Sequence, residues 1–184
     1  MRHPFFLERK DTLLAVIDIQ EKLFAVMDQQ EKMIKNIGLL IQTAQRFHLP
    51  LVVTEQYPQG LGPTIPPLRE RLGDAEPLSK VAFSCWGNES FGARIRESAR
   101  KTVILTGMEA HICVLQTALD LLQAGYTVHL PVDAVCSRKK ENWKVAIEQL
   151  KTAGAVITCT ETIAFELLQE AGTEDFKALS RLFR

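Results

Sequence analysis

The 184-residue chain has no excess of charge of one sign and no long apolar run, and each absence excludes a class of protein. Its 22 Lys and Arg residues balance 22 Asp and Glu residues, so net charge does not draw it to nucleic acid or to an anionic membrane. No apolar run approaches the roughly 20 residues that a membrane helix needs. The N-terminal segment is too short in apolar length for a signal peptide. We therefore expect no nucleic-acid partner and no membrane partner.

Cysteine is scarce and scattered. The chain has four cysteines and no CxxC pair: Cys85, Cys113, Cys136 and Cys159. A disulfide scaffold would need a denser pattern, so a reducing compartment is favoured, and we expect a cytoplasmic location or an organelle matrix. Cys85, Cys136 and Cys159 are interpreted as structural.

Two further absences concern cofactors. The first apolar strand runs into IDIQEK, which contains no glycine, so the GxGxxG motif of dinucleotide-binding proteins is missing. A nucleotide-binding protein is therefore the least favoured interpretation. The four histidines are far apart, and none stands at metal-ligand spacing from another: His3, His48, His111 and His129. We predict no metal site and no cofactor.

Apolar strands alternate with amphipathic helices along the whole chain. Strands are predicted within residues 12–20, 49–56, 78–86, 101–107, 126–135 and 155–160, with helices between them and after the last. The strands are continuous apolar runs rather than alternating ones, which is typical of parallel strands buried on both faces. The pattern predicts an α/β fold with helices on both faces of a parallel sheet, as a single domain over residues 1–184. The proline- and glycine-rich segment 57–77 is the one long irregular stretch.

Reactive side chains follow three of these strands. Asp18 closes the first strand, Lys80 lies near the end of the third, and Cys113 opens the helix after the fourth. Each alone has an ordinary explanation: a helix cap, a solvent-exposed lysine or a buried core thiol. Ligands of such sheets bind beyond the carboxyl ends of the strands, so the three side chains together suit nucleophilic catalysis. A helix start and a lysine would both lower the pKa of the thiol.

Three segments carry a family resemblance: VIDIQEKL, SKVAFSCW and VILTGMEAHICVLQTALDLLQAGYTVHLPVDAVCSR. They resemble the isochorismatase-like cysteine hydrolases, over roughly residues 13–168. The resemblance implies a three-layer αβα fold whose six-stranded parallel sheet has the order 3-2-1-4-5-6. It also implies a small-molecule substrate, a homo-oligomer (a dimer or larger) and hydrolysis of a small amide or related carbonyl compound through a thioester.

The resemblance assigns a role to each member of the set. Cys113 is the nucleophile, Asp18 the general acid and base, and Lys80 the cation that orients Asp18 and lowers the pKa of the thiol. It also implies a cis peptide bond between Met108 and Glu109, with an oxyanion hole formed by the backbone N–H groups of Glu109 and Cys113.

The chain departs from the pattern of some family members after its second strand. Family members that act on nicotinamide carry metal-binding residues after the second strand, where this chain has Thr54, Glu55 and Gln56. That difference argues against nicotinamidase activity. His111 is expected to pack or to contact a neighbouring subunit rather than to act as a base.

Pocket residues are sought among polar and aromatic side chains beside the strand ends. Phe24 and Phe83 are assigned to the core, and the substrate pocket is predicted to include Gln20, Tyr57 and Trp86. The alternative to an enzyme is a non-catalytic or weakly active scaffold or interaction protein on the same fold, because fold alone does not fix function.

Overall fold

A computed structural model describes residues 2–183, and its centre is a parallel sheet. Within that range the seven strands are β1 (Thr12–Ile17), β2 (Leu51–Gln56), β3 (Leu78–Lys80), β4 (Thr102–Met108), β5 (Thr127–Pro131), β6 (Val135–Cys136) and β7 (Val156–Thr158). They lie in the order β3-β2-β1-β4-β5-β7, and the two-residue β6 pairs with the end of β4 beyond β5. The predicted strand order is therefore confirmed, with one short strand added.

Helices cover both faces of the sheet. The nine α-helices are α1 (Glu21–Phe24), α2 (Gln30–Arg46), α3 (Pro58–Leu61), α4 (Pro66–Arg69), α5 (Glu89–Glu97), α6 (Leu115–Gln123), α7 (Lys140–Thr152), α8 (Thr160–Leu168) and α9 (Glu174–Ser180) within the described residues. One apolar cluster joins α2 and α8 to the sheet, and a second joins α5, α6 and α7 to its other face. No helix within residues 2–183 is long and apolar enough to cross a membrane.

The strand sequences explain why both faces are covered. Every residue of β1 and of β4 is buried. Leu14 and Val16 belong to the first cluster, whereas Leu13, Ala15 and Ile17 belong to the second, as the two-residue period of a strand requires. Burying each of the leucine, valine and isoleucine side chains among them contributes about 1.5–3 kcal/mol, so a strand that is apolar on both faces stabilises the three-layer arrangement.

Three elements differ from the sequence-based prediction. The third strand ends at Lys80, and the residues after it form bends and a short 3-10 turn, Cys85–Gly87. The fifth predicted strand is split into β5 and β6 by a turn. The irregular segment 57–77 contains the short helices α3 and α4, each with proline in its first turn, a position that proline favours.

The carboxyl ends of β1 and β4 approach each other closely because the next-to-last residue of β4 is glycine. Gly107 has φ +115°, and a Cβ atom on it would collide with the backbone carbonyl oxygen of Ile17. Only glycine accepts both that dihedral angle and that contact. The close approach brings the residue after β1 near the turn that follows β4, where the site lies.

Candidate active site

A fully buried ion pair forms the floor of the site. The Nζ atom of Lys80, the last residue of β3, lies 2.7 Å from Oδ2 of Asp18, and both side chains are 0% exposed. Asp18 directly follows β1 and has φ 53°, a left-handed backbone conformation that is uncommon for residues other than glycine. The structure therefore brings two of the predicted catalytic residues into direct contact.

Strand β2 lies between β1 and β3 and supplies two side chains that hold this pair. Thr54 Oγ1 donates a hydrogen bond to Asp18 Oδ1 at 2.7 Å, and Gln56 Oε1 accepts one from Lys80 Nζ at 2.6 Å. Sequence reasoning treated both residues only as replacements for a metal-binding motif and missed this role. The signal was present: two polar residues at alternate positions where a buried strand ends project to the same face.

The Lys80 ammonium is surrounded by acceptors. Besides Asp18 and Gln56 it lies 3.2 Å from the backbone carbonyl oxygens of both Ala82 and Phe83. Burial is the strongest single influence and would lower the pKa of Lys80, but the charge and hydrogen bond of Asp18 together with the charges of the Cys85 and Cys113 thiolates outweigh it, and the pKa lies above its ordinary value. Lys80 is therefore a permanent cation fixed in one position.

Cys113 lies in a π-helical turn, Ala110–Val114, that joins β4 to α6. It is near enough to the pair for the charges of Asp18 and Lys80 both to act on its thiol. The peptide bond between Met108 and Glu109, which precedes the turn, is cis, at the position that the resemblance implies. The thiol is 5% exposed. Single π-helical turns occur often at functional sites.

The expectation of a lowered thiol pKa is wrong. Burial raises the pKa of Cys113 most strongly, and the negative charge of Asp18 raises it further, whereas the positive charge of Lys80 acts in the opposite direction. The lysine is already neutralised by Asp18, so its attraction for a thiolate does not prevail. The resting thiol is therefore protonated, and it faces a carboxylate that can accept the proton.

A second thiol, that of Cys85, contacts Thr54, the residue that donates a hydrogen bond to Asp18. Its Sγ atom lies 3.7 Å from Thr54 Oγ1, and its backbone N–H donates to Thr117 Oγ1 at 2.8 Å. Burial first, then the charge of Asp18, raises the pKa of Cys85 to about 11. The residue is 0% exposed, which favours the structural role predicted for it.

Glu109 anchors the turn that carries Cys113. Its Oε2 atom accepts hydrogen bonds from the backbone N–H and from Nε of Arg138, both at 3.1 Å. Its backbone carbonyl accepts from the N–H groups of Ile112 and Val114 at 3.0 and 3.2 Å. Glu109 thus holds the beginning of the turn through both its side chain and its backbone carbonyl. The role of the Glu109 and Cys113 N–H groups in an oxyanion hole stays a prediction.

His111 uses both ring nitrogens away from the thiol. Nδ1 lies 3.0 Å from Ser137 Oγ, and Nε2 lies 3.2 Å from Nδ2 of Asn142. Because an amide nitrogen can only donate, Nε2 accepts and Nδ1 carries the proton. The ring therefore fastens the Cys113 turn to the end of β6 and to α7, which agrees with a packing role rather than that of a base.

Gln20 is used within the protein. Its Nε2 donates to the carbonyl oxygens of Gln56 and Gly62 at 2.9 and 2.7 Å, and its Oε1 accepts from the Gln56 N–H at 2.7 Å. The side chain is 0% exposed. These contacts tie the end of β2 to the following loop, so Gln20 supports the site from beneath; its predicted contact with substrate stays a prediction.

The aromatic candidates separate into two groups. Tyr57 follows β2 and is 54% exposed, and its N–H donates to the Lys80 carbonyl at 2.8 Å, which leaves it at the rim of the site. Trp86 packs edge-on against Tyr126, with 5.5 Å between ring centroids. Tyr126 directly precedes β5 and so lies at the amino-terminal end of the strands, away from the site at their carboxyl ends. The observed contact of Trp86 is therefore a packing contact, and its role in the pocket stays a prediction.

The two phenylalanines assigned to the core behave differently. Phe24 is partly buried and packs on the first apolar cluster, as predicted. Phe83 is 55% exposed, so its assignment to the core is wrong. The carbonyl of Phe83 accepts from Lys80 Nζ, while its side chain lies at the surface. Within residues 2–183, no group of three or more His, Cys, Asp or Glu side chains is arranged to hold a metal ion.

Comparison with known proteins shows which family the chain belongs to. The isochorismatase domain matches residues 12–162. The secreted isochorismatase effector Isc1 of Phytophthora sojae (strain P6497) is 36% identical over 177 residues, which cover 94% of this chain and 84% of that protein. The isochorismatase domain-containing protein 2 of Bos taurus is also 36% identical, over 94% of this chain and 83% of its own length.

Solved structures include a similar fold from an animal. The MAR1 ribonuclease of Caenorhabditis elegans superposes with a TM-score of 0.89 at 36% identity, covering 96% of this chain and 91% of that one. The match of the family domain to most of the chain and the identity with curated relatives agree with the residues that carry the resemblance. The chain belongs to the isochorismatase family and is a hydrolase of that family.

Proposed function

We propose that the protein is a cysteine-dependent hydrolase of a small amide or related carbonyl compound. One observation carries the proposal: a fully buried Lys80–Asp18 ion pair lies beside the otherwise uncharged thiol of Cys113. A buried ion pair is costly to desolvate and is weak support for stability. A carboxylate placed against a protonated nucleophile, however, is the arrangement that general-base catalysis requires.

The first half of the reaction acylates the enzyme. The Cys113 thiol gives its proton to Asp18 as Sγ attacks the carbonyl carbon of the substrate, and the carbonyl π electrons move to oxygen. Backbone N–H groups of Glu109 and Cys113 stabilise that oxyanion. The tetrahedral intermediate collapses, the bond from carbon to the leaving group breaks, and Asp18 returns the proton to the departing amine. A thioester on Cys113 remains.

The second half releases the acid. Asp18 takes a proton from a water molecule, whose oxygen attacks the thioester carbon. Collapse of the second tetrahedral intermediate expels the thiolate of Cys113, which recovers a proton from Asp18. The products are the carboxylic acid and the amine, and the enzyme returns to its starting protonation state.

The hydrogen bonds around Asp18 suit this use. Thr54 donates to Oδ1 and Lys80 to Oδ2. A carboxylate has about four lone-pair sites, so each oxygen keeps acceptor capacity for the thiol or for water. Lys80 holds the carboxylate in place throughout and stabilises the negative charge that returns to it. The burial of all three side chains favours a small acyl group.

The test is a panel of small amides, thioesters and esters, with an RNA oligonucleotide included because one solved relative is named a ribonuclease. For a hydrolysed member of the panel, Cys113→Ala should lower kcat/KM by at least about 10⁴-fold, because the nucleophile is lost. Cys159→Ala, at the partly exposed start of α8, is the matched control and should change it less than about twofold. Retained turnover in Cys113→Ala would refute the assignment, and a silent panel would favour the scaffold alternative.

We also propose that the chain is a single domain that self-associates in the cytoplasm. Three exposed apolar side chains border the site: Val81 at 80%, Phe83 at 55% and Tyr57 at 54%. Contact with a second copy would remove this surface from water. Sedimentation velocity should show a dimer or larger species, and Val81→Ser with Phe83→Ser should shift it toward monomer. A wild-type monomer at micromolar concentration would contradict the proposal.

A further inference from the structure

A cavity of about 290 Å³ opens away from the catalytic residues, between the start of α2, the β5–β6 turn and the start of α7. None of Asp18, Lys80 and Cys113 lines it. We propose that this cavity binds a small organic anion with an apolar body. The argument rests on its apolar floor, on two lysines that line it without an ionic partner, and on its position at the start of two helices.

The floor of the cavity is apolar. Met33, Val135 and Cys136 line it and are 1%, 4% and 3% exposed. The flat indole of Trp143 forms another part of the lining and is partly buried. Burial first, then the charges of Glu109 and Asp28, raises the pKa of the Cys136 thiol, so the floor is uncharged. Such a floor suits the apolar body of a ligand rather than a bare inorganic ion.

Two ammonium groups belong to the lining. Lys32 lies in the first turn of α2, and Lys140 is the first residue of α7. Among the described residues, neither lysine forms a salt bridge or donates a side-chain hydrogen bond. Both helices also begin at the cavity, and the N-terminus of a helix carries a partial positive charge.

Two carboxylates share the lining, and they differ in how far they are used. Oδ1 of Asp133 accepts hydrogen bonds from the N–H and from Oγ1 of Thr160, both at 2.9 Å, which caps α8. Asp28 forms no side-chain hydrogen bond among residues 2–183. Its single negative charge is opposed by the positive charges of two lysines and of two helix N-termini. The uncommitted charge at the cavity is therefore positive, which fits one carboxylate or sulfonate group on the ligand.

The cavity and the active site are neighbours with a wall between them. The carbonyl of Ser137 accepts from the Asp28 N–H at 3.2 Å, and its hydroxyl contacts His111 Nδ1 at 3.0 Å. Ser137 thus faces the cavity on one side and the turn that carries Cys113 on the other. A ligand in the cavity leaves the thiol free, so binding at the two places can be tested separately.

The experiment is isothermal titration calorimetry of the full chain with 2-naphthoate and with its neutral analogue 2-naphthylmethanol. We expect one site for 2-naphthoate and at least about tenfold weaker binding of the alcohol, because two exposed ion pairs are lost. Lys32→Met with Lys140→Met should weaken 2-naphthoate about tenfold and leave the alcohol unchanged. Equal affinity for the two probes, or no binding of 2-naphthoate at millimolar concentration, overturns the proposal.

Matched controls separate this site from general charge and from the active site. Lys35→Met with Lys144→Met removes one lysine from each of the same two helices at positions outside the lining, and should change the affinity less than about twofold. Val132→Trp should fill the cavity and abolish binding with the lysines intact. Alkylation of Cys113 should leave 2-naphthoate binding unchanged, and its loss after alkylation would place the probe in the active site and overturn the proposal.

Discussion

Two ion pairs flank Cys113, and they differ in their access to water. The Lys80–Asp18 pair has both side chains 0% exposed, with 2.7 Å between Nζ and Oδ2. In the Arg138–Glu109 pair the arginine side chain is 55% exposed and the glutamate 6%, with 3.1 Å between Nε and Oε2. One pair lies beneath the thiol, and the other holds the turn on which the thiol stands.

The difference indicates separate tasks. Salt and water screen an exposed pair, which typically contributes about 0–1 kcal/mol, so Arg138 and Glu109 act mainly by geometry. The buried pair keeps its full field at the thiol, and this is why Asp18 changes the pKa of Cys113 while Lys80 opposes the change. An ion pair with both partners buried is therefore found where proton transfer is proposed, whereas the pair that holds the turn has its arginine partner at the surface.

Breaking the buried pair should give the largest effect. Lys80→Met leaves the Asp18 carboxylate buried without a cation, and it should lower the free energy of unfolding by about 3–5 kcal/mol in urea titrations. Adding Asp18→Asn removes the stranded charge and keeps a residue type that tolerates the left-handed backbone, so the double variant should recover most of that loss and remain inactive. A Lys80→Met protein as stable as the wild type would show that the pair is hydrated in solution.

His129 sharpens the comparison because it is a buried titratable group whose Nε2 has no hydrogen-bond partner among residues 2–183. It lies in β5, 1% exposed, and burial lowers its pKa from 6.5 to about 4. Its folded pKa is depressed, so the stability it contributes is complete above pH about 6.5 and is lost as pH falls toward 4. The loss should approach about 3 kcal/mol at 1.36 kcal/mol per pKa unit.

Urea titrations between pH 7 and 4 measure this term. His129→Leu should remove about 3 kcal/mol of the acid-dependent loss of stability, whereas His48→Asn, which removes an exposed histidine, should leave the slope unchanged. Identical slopes for His129→Leu and the wild type would mean that the imidazole is protonated and paired in the native state.

Breaking the exposed pair should give the smallest effect. Arg138→Met should lower the free energy of unfolding by about 0.5–1 kcal/mol at low salt, because the Arg138 N–H still donates to Glu109. The difference should vanish in about 1 M salt, where the Debye length is about 3 Å. A larger loss that persists in salt would show that the two pairs are equivalent and would break the comparison.

The strand order and the positions of Asp18, Lys80 and Cys113 follow from local sequence and from the resemblance. Continuous apolar runs identify β1 and β4 because both faces of those strands are buried. Asn88 caps α5, and its side chain accepts from the Phe91 N–H at 3.0 Å, as is typical of an asparagine directly before a helix. These features depend on a few neighbouring residues, which the sequence displays directly.

The supporting contacts depend on residues far apart in the chain. Thr54 and Gln56 reach Asp18 and Lys80 only because β2 lies between β1 and β3 in register. The sign of the thiol pKa shift depends on the balance of burial against two charges, and residue types do not give burial depth. The sequence also could not predict that Phe83 is exposed and that Trp86 is packed. Both residues lie in the loop after β3, and their exposure depends on contacts with distant residues such as Tyr126.

The most direct test of the account compares the acrylamide labelling rate of Cys113 at pH 7 in the wild type and in Asp18→Asn, by peptide mass spectrometry with Cys159 as internal standard. The substitution removes the negative charge that raises the pKa of the thiol, so electrostatics alone would speed labelling. If Asp18 is the base that accepts the thiol proton, labelling should instead slow by about 10²-fold or more. Equal or faster labelling of Cys113 in Asp18→Asn would contradict the account.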